Sequence, residues 1–230
     1  MGNEFENALR NLEKIKDSGT VGLYKEEIAN KYYEILRDNG YIIEITKDWY
    51  LITNSQIREN DLASWLSDYW GFCGKFLDYE YNYQWCLSVE QSLLIHAGNW
   101  SVPKQPVISS PLKDNYVEFI HNTSLLNLQA DLPSIQQIVI ERGLRIHSLQ
   151  SSLIYSSPNI FKCNPNNARS ALLLINDSSE LLPILIKNNL SENAGRICGA
   201  LRNIKRTKIA NEIMETMYLA GFDIEEKDPF

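Results

Sequence analysis

The chain lacks paired cysteines, long apolar runs and any basic segment, and each absence removes a class of function. Its four cysteines, Cys73, Cys86, Cys163 and Cys198, stand far apart with no CxxC pair. That spacing suits neither a zinc site nor the disulfide framework of a small secreted domain, so reduced, mostly buried thiols are expected. No apolar stretch approaches the roughly 18 residues that span a bilayer. The first residues, MGNEFENALR, are too charged for a signal peptide, and Glu6 stands where a myristoylation signal has Ser or Thr. A cytoplasmic protein with no membrane partner is the expectation. Basic side chains number 22 against 29 acidic ones, a net charge of −7. The first 53 residues carry 7 basic and 10 acidic groups, and the last 40 carry 6 and 7. Any contact with nucleic acid must therefore use a local patch.

Aromatic residues are plentiful, with 12 Tyr, 7 Phe and 5 Trp, which excludes a disordered chain. A length of 230 residues can bury a substantial core, as one large domain or two small ones. Phe5, Ala8, Leu9, Leu12 and Ile15 recur at helical spacing and predict a helix over 4–17. Ile28, Tyr32, Ile35 and Leu36 predict a second helical stretch over 25–38, broken near Asn30 and stopped at Asp38-Asn39-Gly40. The β-branched and aromatic run YIIEITKDWYLIT, residues 41–53, predicts a hairpin with Lys47-Asp48 at its tip. Helix, helix and hairpin within about 50 residues give the outline of a winged helix-turn-helix, although a small packing module without a ligand fits the same pattern.

Residues 54–61, NSQIREND, read as a polar linker. Beyond them an aromatic-rich helix and a second helix capped by Ser88 are expected. The runs PVISS, YVEFIH, QQIVIE and GLRIHS read as short strands. From Leu149 onward the pattern is helical, with Pro165 opening one helix and Gly221 following the last. The predicted fold class is α+β: an N-terminal winged helix-turn-helix over 1–53, the linker, and a mixed α+β body over 62–230 that ends in a helical layer.

Several stretches carry a resemblance. KDWYLI is similar to a hairpin motif of the N-terminal region of bacterial Fic-type cell-filamentation proteins, with Asp48 where the family has glycine. WCLSVEQSLLIHAGNW, residues 85–100, is the strongest likeness. GLRIHSLQSSLIYSSPNIFKCNPNNARSALLLI and AGRICGALRNIKRTKIANEI are also similar, and AGFDIEEKDPF resembles the point where that region hands over to the catalytic domain. More distantly the plan resembles AbiEi-type antitoxins, which join a winged helix to a larger C-terminal domain. The resemblance implies a role in restraining a toxin or binding its promoter. The Fic catalytic loop, HxFxxGNGR, does not occur around His96, His121 or His147. With no paired acids, metal-ligand cluster or nucleophile beside a base, a non-enzymatic chain without metal or cofactor is expected.

The resemblance also implies an inhibitory motif, Ser/Thr-x-x-x-Glu-Gly/Asn, which Ser55, Glu59 and Asn60 fit as partner-binding candidates. A solvated linker fits those residues too. For DNA, the candidates on the second helix are Asn30, Lys31 and Arg37, with Lys47 and Trp49 on the wing. Glu26, Glu27, Glu34 and Asp38 oppose them. Arg202, Lys205, Arg206 and Lys208, with Arg196 nearby, form the densest basic cluster, either a phosphate-contact patch or merely solvated helix ends. The functional expectation is an antitoxin-like regulator that binds DNA as an autorepressor and also engages a toxin, of Fic type by the resemblance. The alternative is a protein-interaction scaffold without DNA binding.

Overall fold

A computed structural model describes residues 2–17, 19–53 and 62–230, and the fold is α+β. Contacts group it into two compact units: Met1–Cys86 with Val102–Leu132 and Ile140–Arg145, and Leu87–Ser101 with Pro133–Val139 and Ile146–Phe230. The expected boundary at residue 53 falls inside the first of these.

The first unit begins with α1 (Gly2–Lys16), β1 (Gly22–Tyr24), a short 3-10 turn (Lys25–Glu27), α2 (Asn30–Asp38), β2 (Ile42–Thr46) and β3 (Trp49–Ile52). The break near Asn30 separates the turn from α2. Gly40 leaves α2 at φ 72°, the left-handed conformation that lets a chain turn off a helix without a Cβ penalty. The hairpin tip is Lys47-Asp48, with Asp48 at φ 62° and Thr46 opposite Trp49. The three strands are antiparallel in the order β1-β3-β2. β1 has no β-branched residue and was invisible in the pattern. Gly22 packs closely beside the Phe72 ring, which would stand 3.4 Å from a Cβ.

Strand β3 is buried at all four positions. Tyr50 and Ile52 join Ala8, Leu12, Leu36 and Ile42 in a core against α1 and α2. Trp49 points the other way, into the rings of α3 (Leu62–Glu80), 6.1 Å from Phe72 and 5.2 Å from Phe76 between centroids. α3 also buries Trp65 and Tyr69, and Trp65 lies edge-on to Phe119. Such T-shaped pairs match the edge of one ring to the electron-rich face of the next.

A four-stranded sheet follows in the order β4-β5-β7-β6, from β4 (Cys86–Leu87), β5 (Val107–Ser110), β6 (Asn115–Glu118) and β7 (Ser124–Gln129). β5 and β7 are parallel, and β6 and β7 antiparallel. β7 was not expected, because its sequence SLLNLQ has no β-branched residue and buries an asparagine. The Asn127 amide nitrogen donates to the carbonyls of Leu112 and Lys113 at 3.3 and 3.0 Å, which satisfies its donor end in the core, while its oxygen is buried with no hydrogen-bond partner.

The second unit is mainly helical: α4 (Val89–His96), α5 (Leu149–Tyr155), α6 (Pro158–Cys163), α7 (Pro165–Leu173), α8 (Leu182–Lys187), α9 (Ser191–Asn203) and α10 (Thr207–Leu219). Ser88 caps α4, its hydroxyl accepting the Gln91 amide at 3.2 Å. Pro165 occupies the first turn of α7, where its missing N–H costs nothing. Leu153, Phe161, Leu172, Leu185, Ile197 and Leu201 fill one core. The remaining strands, β8 (Ile138–Glu141) and β9 (Leu144–His147), form a two-stranded ribbon. No helix among the described residues is long and apolar enough to cross a membrane.

Candidate functional site

The outward face of α2 carries the residues expected to meet DNA. Asn30, Lys31, Glu34 and Arg37 are exposed, while Tyr33 and Leu36 turn inward. The cations on this face are partly engaged. Arg37 forms an ion pair with Asp38 at 2.9 Å and also bonds the Tyr33 hydroxyl at 3.4 Å. Those contacts hold its guanidinium even more firmly protonated than usual, the hydrogen bond to Asp38 being the largest cause. Lys31 lies over the Tyr32 ring at 4.7 Å. At the hairpin tip Lys47 is exposed, but Asp48 is tied back to Lys25. The Lys25 amide donates to the Asp48 carbonyl at 2.9 Å, and the side chains pair at 3.6 Å.

Trp49 is not part of that surface, which corrects the wing assignment. It is 1% exposed, and its indole N–H donates to the Glu80 carboxylate at 2.8 Å. The physical reason is that α3 packs on that face of the hairpin. The unbroken apolar run WYLI, where a half-exposed strand would alternate, was the available signal. Ser55, Glu59 and Asn60 lie outside the described residues.

The basic cluster of the second unit is dispersed by its own contacts. Arg196 donates to the Ile154 carbonyl at 2.8 Å, and burial lowers its proton affinity. Arg202 binds Glu226 at 2.7 Å, Arg206 donates to the Leu173 carbonyl at 3.1 Å, and Lys208 sits 3.8 Å from Glu212. Lys205, at φ 64°, remains exposed in the turn between α9 and α10. Arginines spent on carbonyls at helix ends hold the helices together, and only the lysines present open charge.

Sequence reasoning missed a cleft of about 680 Å3 in the first unit, lined in part by Glu27, Lys75, Asp78, Tyr79, Tyr83 and Arg142. Its charges are compensated. Lys75 pairs with Glu27 at 2.7 Å, and Asp78 accepts the Trp85 indole at 2.8 Å with Arg145 3.5 Å away. Gly74 of α3 allows the Gly143 carbonyl to approach, at 3.0 Å from where a Cβ would stand. Gly74, a glycine inside a helix, was the legible sign of that approach, whereas Gly71 makes room for the Val21 side chain at 3.0 Å. Charges already matched in pairs give no strong preference for an ion of either sign.

His96 and His147 serve structure. His96 Nε2 lies 2.7 Å from the His147 carbonyl oxygen, and His147 Nδ1 lies 3.2 Å from the Ser151 hydroxyl. The Ser92 hydroxyl accepts the His147 amide at 3.1 Å. Ser151 is fully buried, so this Ser-His pair offers no hydroxyl that a substrate could reach. Among the described residues no group of three or more His, Cys, Asp or Glu is placed to hold a metal ion. Burial raises the Cys86 and Cys198 thiols to about 12, which leaves them unreactive at neutral pH; Cys163 alone is exposed.

Burial lowers the His147 pKa below 6.5, with Glu90 opposing the shift. The unfolded chain therefore binds the proton more readily. The stability this site contributes is intact above about pH 6.5 and is lost as pH falls toward the folded value, by at most about 1.4 kcal/mol per pH unit. Urea midpoints at pH 7.5 and 5.5 should show the loss, and His147→Asn should flatten it. An unchanged slope in the variant would place the effect elsewhere.

No protein-family model matches the chain, and no curated protein matches it at a significant level.

Proposed function

We propose that this chain is a non-enzymatic, antitoxin-like regulator that works by holding a protein partner. One observation carries the reading: in the second unit residues 225–228, which form neither helix nor strand, lie across α9 with backbone against Gly195 and Gly199. A helical layer built to hold extended chain is a protein-binding architecture. The N-terminal module is assigned as a winged helix-turn-helix, supported by the order α1-β1-turn-α2-β2-β3 and by the sheet order β1-β3-β2. The partner proposed is a Fic-type AMP-transferase, on the resemblance of residues 85–100. The test is AMP transfer by a Fic-type transferase from the same source, with and without equimolar full chain. A drop of tenfold or more supports the reading, and unchanged transfer with no complex on gel filtration removes it.

DNA binding is the second reading, favoured by the exposed Asn30, Lys31 and Arg37. Electrostatics limit it. With Lys31, Lys47 and the partly engaged Arg37 on phosphates, log affinity should fall against log salt with a slope of about −1.8 to −2.7. Affinity for upstream DNA would then drop about 10- to 40-fold between 50 and 200 mM salt. Lys31→Glu should abolish the binding. Absence of binding at 50 mM salt would exclude an autorepressor.

A further inference from the structure

Two glycines sit inside α9, at Gly195 and Gly199. Glycine weakens a helix interior, and here each has a specific neighbour. A Cβ on Gly195 would overlap the Glu225 carbonyl oxygen, and one on Gly199 would overlap the Lys227 carbonyl. The pair is one helical turn apart, so together they form a trough that admits bare backbone. After α10 the chain turns at Gly221, φ 88°, and Phe222 and Ile224 pack on the helical core. Residues 225–228 then cross the trough.

The walls of the trough match the side chains that cross it. Arg202 Nε donates to the Glu226 carboxylate at 2.7 Å, and the Asn203 amide donates to Asp228 at 2.7 Å. Pro229 is buried. The Phe230 ring meets Phe161 edge-on at 5.4 Å, and the Arg169 guanidinium covers it at 4.2 Å. Against this side-chain fit the main chain is barely held. Among the described residues one backbone hydrogen bond ties the segment to α9, from the Lys227 amide to the Gly195 carbonyl, at 3.3 Å. Both acids keep access to solvent, which screens their pairing and limits the stability it adds. A stretch specified by side chains but lightly tied by backbone belongs to the low-stability end of a fold, where local opening is easy.

We propose that the α9 trough is a peptide-docking site, occupied in cis by residues 222–230 and opened to a partner carrying an extended segment of the same chemistry. That chemistry is two carboxylates two residues apart, followed by proline and an aromatic ring. The inference rests on the partner-holding reading above and names the chemistry that partner presents. The cis segment acts at an effective concentration on the order of millimolar, so a partner displaces it only by adding contacts elsewhere or when the segment is pulled away. Docking in trans is therefore gated.

The probe is a fluorescein-labelled synthetic peptide of residues 222–230, titrated by anisotropy against the full chain. A released chain, Glu226→Arg with Phe230→Ala, should bind the peptide at least tenfold more tightly than the unaltered chain. Adding Gly199→Val to the released chain should abolish binding. Because that change could unfold α9, a surface variant provides an independent arm. Arg202→Glu with Phe230→Ala, in which the introduced carboxylate repels the native Glu226 of the cis segment, should lose the native peptide and gain one carrying Glu226→Arg. No binding by a released chain with native circular dichroism and melting temperature overturns the proposal, as does binding insensitive to both Gly199→Val and the charge exchange. Peptide binding without any effect on the transferase would leave this site standing and remove the Fic-type reading. Regulation of the transferase without peptide binding would remove this site alone.

Discussion

Trp49→Ala is expected to destabilise the protein by about 3–5 kcal/mol, the range for deleting a large aromatic from a packed core. The indole lies among Tyr24, Phe72, Phe76 and Tyr79, all within 6.1 Å between centroids. Its removal also takes away the donor that the Glu80 carboxylate accepts at 2.8 Å, but Glu80 is exposed and water replaces that bond, so lost packing dominates the cost. Trp49→Phe keeps most of the packing and loses only that hydrogen bond, so a cost of about 1–2 kcal/mol is expected. Urea titration of both variants, followed by tryptophan fluorescence and far-UV circular dichroism, makes the comparison. A normal urea midpoint in Trp49→Ala, together with weakened DNA binding, would return this residue to the wing surface.

Phe161→Ala should cost a similar 3–5 kcal/mol, for it is fully buried in the helical core. It has a second consequence that a generic core residue lacks. Phe161 supplies the edge against which Phe230 packs, so its loss should loosen residues 222–230 before the rest of the unit opens. Hydrogen exchange under native conditions separates the two effects. The Lys227 amide should exchange faster in Phe161→Ala by more than the global destabilisation requires, because its one bond to Gly195 is long at 3.3 Å. Exchange that merely tracks global stability would mean the segment opens only with the whole core.

Much of this architecture was legible because the controlling interactions are local. The break at Asn30, the stop at Gly40, the Lys47-Asp48 tip, the Ser88 cap and Pro165 at the head of a helix each follow from a residue's own backbone preference or from a side chain reaching a neighbouring amide. The exposed face of α2 was legible too, since helical period fixes which residues turn away from Tyr33 and Leu36. The candidate cations were harder to judge. Charge is counted along a sequence, but whether an arginine offers it depends on what stands beside it in space, and Arg202 and Arg206 meet Glu226 and the Leu173 carbonyl from 24 and 33 positions away.

The sequence by itself determined the α+β class, the limits of the helices that carry a local start or stop signal, and that no segment of the chain is basic overall. Tertiary structure alone decided that β1 and β7 exist, that Trp49 lies inside, and that residues 225–228 rest on two glycines of α9. These features share one cause. Each depends on a partner remote in the chain, and neither propensity nor period can reveal a side chain or backbone that arrives from elsewhere.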